Sequence, residues 1–291
     1  MSGDALPSTF VDIERTWRPE DTVAVDVLGP APSQGFAALL DAPAPARDGG
    51  DELPPLWHWF HFAEPHPQAA LGTDGHLRDS AFLPPLPDRR RMFGGGRLEV
   101  TAPLRIGDEV ERRSSLSSIR TTMGGSGPLL LTTVRHEFSV DGTRRVVEEQ
   151  DIVYRRARDV GQATRTTPGP DAASPGDVRL QLDPDPVVLF RFSALTNNAH
   201  RIHYDRDYAT QVEGYPGLVV HGPLLALLML EPFRQERAAV GSFAWRARRP
   251  VFDDQRVDVA VQGSGGSYEV AVGAEGYWPV TTGKVELAVT G

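Results

Sequence analysis

Three of the eight histidines, two asparagines and a helix-opening glycine fall within residues 189–228, LFRFSALTNNAHRIHYDRDYATQVEGYPGLVVHGPLLALL. An imidazole titrates close to neutral pH, so His200, His203 and His221 are candidates for moving protons. His200 and His203 stand three apart in an irregular stretch, so their rings need not share a direction. Asn198 can hold a water or hydroxyl but cannot exchange a proton. Gly222 precedes PLLALLMLEPFRQER (223–237), the longest apolar helix pattern in the chain, and Pro223 at its first position is a sound helix start. Polar groups this dense beside such a helix imply a buried or cleft-lining site whose members are hydrogen-bonded. Backbone N–H at Gly222, at the positive end of the helix dipole, suits a developing oxyanion. Structural readings compete: His203 as a bonded core histidine, Asn198 as a loop cap, Gly222 as a plain helix cap, and Tyr204 and Asp205 as packing and capping residues for the short helix that follows.

The pattern resembles the hydratase-2 (MaoC) signature. That signature has an aromatic residue, Ser-Gly-Asp-x-Asn-Pro-Leu/Ile-His, a short acidic-aromatic helix, and a His-Gly pair opening the long helix. Phe192 takes the aromatic place, Thr196 and Asn197 stand at Ser-Gly, and Asn198 replaces the Asp. His200 and Arg201 stand at Asn-Pro, His203 is the His, and His221-Gly222 is the pair. TNNAHRIHYDRDYA with EGYPGLVVHGP is similar to one branch, the mesaconyl-C4-CoA hydratases and mitochondrial-type 3-hydroxyacyl-thioester dehydratases. In the first half, LPPLWHWFHF, LGTDGH, FLPPLPDRRRMFGGGRLEV, PLRIGDEVERRSSL, GPLLLTTVRHEF and EEQDIVYR extend the resemblance over most of residues 53–235. It implies an α+β double hotdog, with the central helix reduced in the N-terminal half. It also implies reversible hydration of an enoyl thioester: a CoA ester, or an acyl carrier protein, as substrate partner, and no cofactor beyond the CoA of the substrate. His203 would be the acid/base, Asn198 the water holder, Gly222 the oxyanion donor, and His221 and His200 supporting groups.

These residues need elements to position them. Helix signals occur near Ser8–Trp17 and Ser33–Leu40, and strand signals at 97–103, 108–120, 128–140 and 145–155, with Asp141-Gly142 as a hairpin turn. The second half reads as a strand near 187–192, a short helix near Arg206–Val212, the long helix with a kink or early end at Pro232, and strands near 243–249, 255–262, 267–274 and 278–289. Residues 42–54 and 157–177 are Pro/Gly-rich and read as linkers, dividing the chain into 1–156 and 178–291. Pro103-Leu104 with Val110 and Pro250-Val251 with Val257 share one offset, which suggests an internal repeat. One apolar helix followed by strands, with no βαβ alternation, predicts α+β.

Other residues are weaker candidates. Arg90 and Arg91 belong to a run that is either a solvated face or a contact for CoA phosphates or a substrate carboxylate. Trp57 and Trp59 are core residues or acyl-pocket walls, and Tyr204 could touch substrate. Gly94-Gly95-Gly96 has no preceding strand and is a poor phosphate loop. His58, His61 and His66 lack matching carboxylates, so no metal is expected. The formal charge of −9 argues against nucleic-acid binding. The absence of cysteine excludes disulfides and thiolate nucleophiles, and no G-x-S-x-G is present. No apolar run is long enough for a membrane span and the N-terminus lacks a signal-peptide pattern, so a cytoplasmic protein is expected. Heavy arginine use, with Lys284 the one lysine, suggests a bacterial source. A homodimer is a reasonable expectation. The rival functions are a thioesterase on the same fold and a non-catalytic acyl-CoA or carrier-protein binding module.

Overall fold

Period-two burial, clearest in β4 (Gly127–Val140), sets ten strands into one antiparallel sheet. The computed structural model describes residues 6–87, 89–124, 127–156, 174, 176–275 and 277–288. The other strands are β1 (Thr22–Val27), β2 (Arg89–Val100), β3 (Glu109–Gly124), β5 (Thr143–Arg156), β6 (Asp177–Leu182), β7 (Val240–Ala247), β8 (Val257–Ser264), β9 (Ser267–Ala274) and β10 (Tyr277–Leu287). Their order is β1-β3-β4-β5-β2-β7-β10-β9-β8-β6. The second five repeat the first five in mirror order, so β2 and β7 meet at the centre. Asp141 and Gly142, at φ 48° and 72°, form the expected turn between β4 and β5. Residues 157–173 and 175, most of the expected 157–177 linker, lie outside the described residues.

The α-helices among the described residues are α1 (Ser8–Thr16), α2 (Pro30–Leu39), α3 (Pro186–Leu195) and α4 (Gly222–Gln235), and the short helix expected near Arg206–Val212 is a π-helix, Tyr208–Val212. Residues Leu224 to Phe233 of α4 are all buried, the mark of a helix apolar on every side. It packs on β2 and on all five strands of the second half. Pro232 lies in the last turn, and the helix ends three residues later.

The internal repeat has a structural counterpart. Leu104 and Val251 are buried, as are Val110 and Val257. Leu53 N–H donates to the Leu104 carbonyl at 2.8 Å, and Val220 N–H to the Val251 carbonyl at 2.8 Å. Immediately after each bond comes the place of a central helix: α4 in the second half, but only the single 3-10 turn Trp57–Phe60 in the first. The central helix of the first half is thus reduced, as expected.

Three expectations need correction. The apolar run at 187–192 is not a strand but the middle of α3, because Asp185 caps the N–H of Val188 and Pro186 opens the first turn. Residues 42–54 are no free linker: Leu53 is bonded to Leu104, Gly50 N–H to the Ile106 carbonyl, and Ala46 and Leu53 are buried. Gly94-Gly95-Gly96 lies inside β2, which begins at Arg89, well before the expected residue 97. At Gly95, φ is +144° and a Cβ would lie 2.3 Å from the Trp245 carbonyl oxygen, so only glycine lets the bulged β2 meet β7 here.

A charged cluster sits inside the first half. Glu148 is fully buried and accepts from Trp59 Nε1–H at 2.8 Å and the Gln150 amide at 2.7 Å, while His58 Nε2 lies 2.6 Å away. Burial would raise this carboxyl, but the bond to His58 and the neighbouring imidazoles outweigh it and hold it below the usual range. Replacing Glu148 by Ala leaves those donors without an acceptor and should destabilise the protein by roughly 3–5 kcal/mol. Urea unfolding checks this, and an unchanged midpoint would contradict the assigned network.

Candidate active site

The local fold explains how His203 is held. It ends a single 3-10 turn, Arg201–His203, and Val219 N–H donates to the Ile202 carbonyl at 2.9 Å. In return His203 Nδ1–H donates to the Val219 carbonyl at 2.6 Å. A carbonyl can only accept, so Nδ1 carries the proton and Nε2 is the lone-pair nitrogen of the neutral ring. Burial pushes this imidazole down to about 4 despite the Val219 bond, with a further downward push from His76.

His221 is the residue before α4. Its ring stacks on His203 at 3.6 Å between centroids, and its Nε2 is 2.9 Å from the hydroxyl of Ser193 on α3. It is completely buried and its Nδ1 has no partner. Burial, then the charges of His203 and His200, push its basicity well down. His200 meets His203 edge-on at 5.4 Å and overlaps His76 at 4.0 Å. Burial, then His76 and His203, push it down to about 2. Asn197 adopts φ 48°, and Asn198 Oδ1 accepts from His200 N–H at 3.0 Å, so the two asparagines shape the turn that carries His200.

Sequence reasoning missed Asp74 and His76. His76 Nδ1 lies 3.0 Å from Asp74 Oδ2, and Asp74 is held down to about 2: burial opposes this, but the bond to His76 and its charge prevail. The 72–76 loop reaches the second half because Gly75, at φ +90°, lies flat on residue 199. A Cβ there would stand 1.8 Å from the Ala199 carbonyl oxygen. Arg201 fastens the contact through its N–H to the Asp74 carbonyl and its guanidinium to the Thr73 carbonyl, at 2.9 and 3.0 Å. LGTDGH carried no period and no known ligand spacing, so only the folded chain reveals its place. Asp74, His76 and His200 put potential ligand atoms within 4.8 Å of one another. The His76 and His200 ring planes are tilted by 37° to each other across this cluster.

Gly222 opens α4 with no side-chain cap, and a Cβ on it would be 3.0 Å from the Phe93 ring. Phe93 in turn neighbours Trp59 at 6.1 Å and Trp245 at 6.3 Å, an aromatic wall of which only Trp59 was anticipated. Trp57 is elsewhere, packed in the core on Phe36 and Phe60. Arg90 is engaged by Glu213 at 3.1 Å. Arg91 is exposed, pairs with Tyr154 across the β2–β5 ladder, and acts on the charge of His200. Tyr204 is 44% exposed and its hydroxyl donates to the Ala199 carbonyl. His58 and His61 are buried in the first half, with His58 on Glu148.

A continuous antiparallel sheet packed on one apolar helix, with a tautomer-locked histidine and a His-Gly pair at the helix start, is a hotdog-type architecture. The chain belongs to the hydroxyacyl-thioester dehydratase type 2 family, whose model matches residues 56–253. It is 40% identical over 285 residues to a mesaconyl-C4-CoA hydratase of Chloroflexus aurantiacus, covering 90% of this chain and 96% of that one. Among solved structures, HtdX of Mycobacterium tuberculosis matches with a TM-score of 0.64 at 17% identity, over 92% of this chain and 100% of the other. A second protein of that organism, described as having a double hotdog fold, matches at 0.55 and 14%, over 94% and 97%. The fold is thus the expected α+β double hotdog. Among the described residues, no helix is long and apolar enough to cross a membrane.

The buried histidines fix a pH response. An unfolded imidazole binds its proton near 6.5, whereas His203 and His136 in the fold do so only near 4. Below 6.5 the unfolded state therefore binds more protons, so stability present above that pH is lost as pH falls toward 4. Denaturant midpoints should drop across this window, and a flat profile would contradict the neutral, buried assignment.

Proposed function

We propose that the chain adds water reversibly across the C2=C3 bond of a short enoyl-CoA, with His203 as the acid/base. The observation that carries this is the Val219 bond, which leaves Nε2 of a neutral imidazole as the available base. The thioester oxygen rests on backbone N–H at the start of α4, where the helix dipole and the uncapped first turn favour negative charge. Asn198 uses Oδ1 on the backbone of His200, which leaves its amide N–H groups to hold the water. His221 and His200 flank His203 as neutral neighbours that bring no positive charge to the site. Hotdog units spanning 1–156 and 178–291 pair within the chain through β2 and β7.

A short C4–C5 acyl group such as mesaconyl is favoured by the 40% identity to the Chloroflexus enzyme, over nearly the whole length of both chains. Arg91, exposed and electrostatically coupled to His200, is the cation for a free carboxylate of the acyl group or for a CoA phosphate. Arg90 is not available in the same way, because Glu213 holds it. Trp59, with Phe93 and Trp245, forms the acyl-facing wall next to Gly222. No metal or redox group enters this scheme.

With mesaconyl-CoA and crotonyl-CoA, the enoyl-thioester absorbance should decay without release of free thiol. His203→Ala should lower turnover about 100-fold or more. Thiol release would point to a thioesterase instead. Full activity in the variant would remove His203 from the chemistry.

A further inference from the structure

Addition of water needs a proton taken from oxygen and a proton given to C2. In the signature that residues 192–222 resemble, a carboxylate stands where this chain has Asn198, and an amide cannot exchange a proton. The structure brings a different carboxylate against the turn that follows Asn198, at residues 199–201. Asp74 and His76, from the connection between the Trp57–Phe60 turn and β2, dock on the turn that carries His200. The docking is specific, since Gly75 touches Ala199 so closely that no side chain is admitted. The result is a row of groups: Asp74, His76, His200, His203, His221 and Ser193. His76 is its outer imidazole, with 23% of its side chain exposed, whereas His200, His203 and His221 are buried.

We propose that His76, held by Asp74, is the second acid/base of the site and supplies the proton exchange that Asn198 cannot. The proposal rests on His203 as the base. In hydration, His203 Nε2 takes a proton from water as the oxygen bonds to C3. The C2=C3 electron pair moves through C2 onto the thioester oxygen. The protonated His76 then gives its Nε2 proton to C2, and the enolate electron pair forms the C2–H bond as the carbonyl returns. His203 releases its proton to solvent and His76 takes one up, so one water is consumed and both rings are reset. Asp74 is the positioning residue: it fixes the orientation of the His76 ring through Nδ1 at 3.0 Å. The groups that bear on His76 are Asp74 on its own loop and His200 and His203 on the facing turn; Arg91 acts on His200 and Tyr208 on Asp74.

The test is steady-state hydration of the CoA ester by four variants, with pH profiles of kcat. His76→Asn should lower kcat by about 100-fold or more with little change in KM. Asp74→Asn should lower kcat by about 10-fold or more with little change in KM, because the His76 ring has lost the carboxylate that orients it. Adding Asn198→Asp to His76→Asn should restore much of the lost turnover, a rescue that no repair of mere misfolding would give. If His76→Asn keeps wild-type kcat while His203→Ala is inactive, this proposal fails and the base assignment stands. If both remain active, the base assignment itself has failed. Loss of wild-type activity on EDTA treatment, restored by zinc, would assign Asp74, His76 and His200 to a metal and also overturn the proposal.

Discussion

The hydrogen bond from His203 to the Val219 carbonyl governs the site. It requires two segments, the turn at 201–203 and the strap at 218–221, to be locked together, and the return bond from Val219 N–H to Ile202 does this. The strap is in turn pinned by Val220 to Val251, next to β8, and leads directly into α4. His203, helix start and sheet are therefore one mechanical unit. The same burial that makes the ring weakly basic keeps it neutral, with Nε2 unprotonated.

The duplication explains how the second half obtains help from the first. Both halves carry the same strand pattern and the same pinned strap, but only the second follows its strap with a full helix. In the first half one 3-10 turn stands in that place, and the chain continues through residues 61–87 with only the short 3-10 turn Gln68–Ala70. That connection carries Asp74 and His76 across to the other half. Loss of a helix on one side thus accompanies gain of a carboxylate–imidazole pair on the other. The join itself depends on Gly95 and Gly96, where β2 lies too close to Trp245 and to Glu149 for any Cβ.

Much of this was legible in the sequence, and the failures have physical reasons. His203, His221, Gly222 and Asn198 could be found because they lie within one short segment whose spacing reports local geometry. The helix α4 followed from its apolar run and Pro223, and β4 and β5 from their alternation and Asp141-Gly142. The run at 187–192 was ambiguous because a short apolar stretch fits a buried strand or a buried helix, and the Asp185-Pro186 cap decides it. The glycines of β2 carried no strand signal because their role is to let another strand's backbone approach, which no local pattern encodes. Asp74 and His76 lie far from His200 in the chain, and Trp57 and Trp59 differ in role only through what packs on them. Such partners are set by tertiary contact, beyond the reach of spacing.

The central claim is that His203 is a neutral imidazole with its proton on Nδ1. Nitrogen-15 NMR of histidine-labelled protein reports this directly, since the two ring nitrogens differ strongly in shift between tautomers. The account predicts a protonated Nδ1 and a bare Nε2 for His203 at neutral pH, with the ring gaining its second proton only as pH approaches about 4. An Nε2–H tautomer, or an imidazolium at neutral pH, would contradict it.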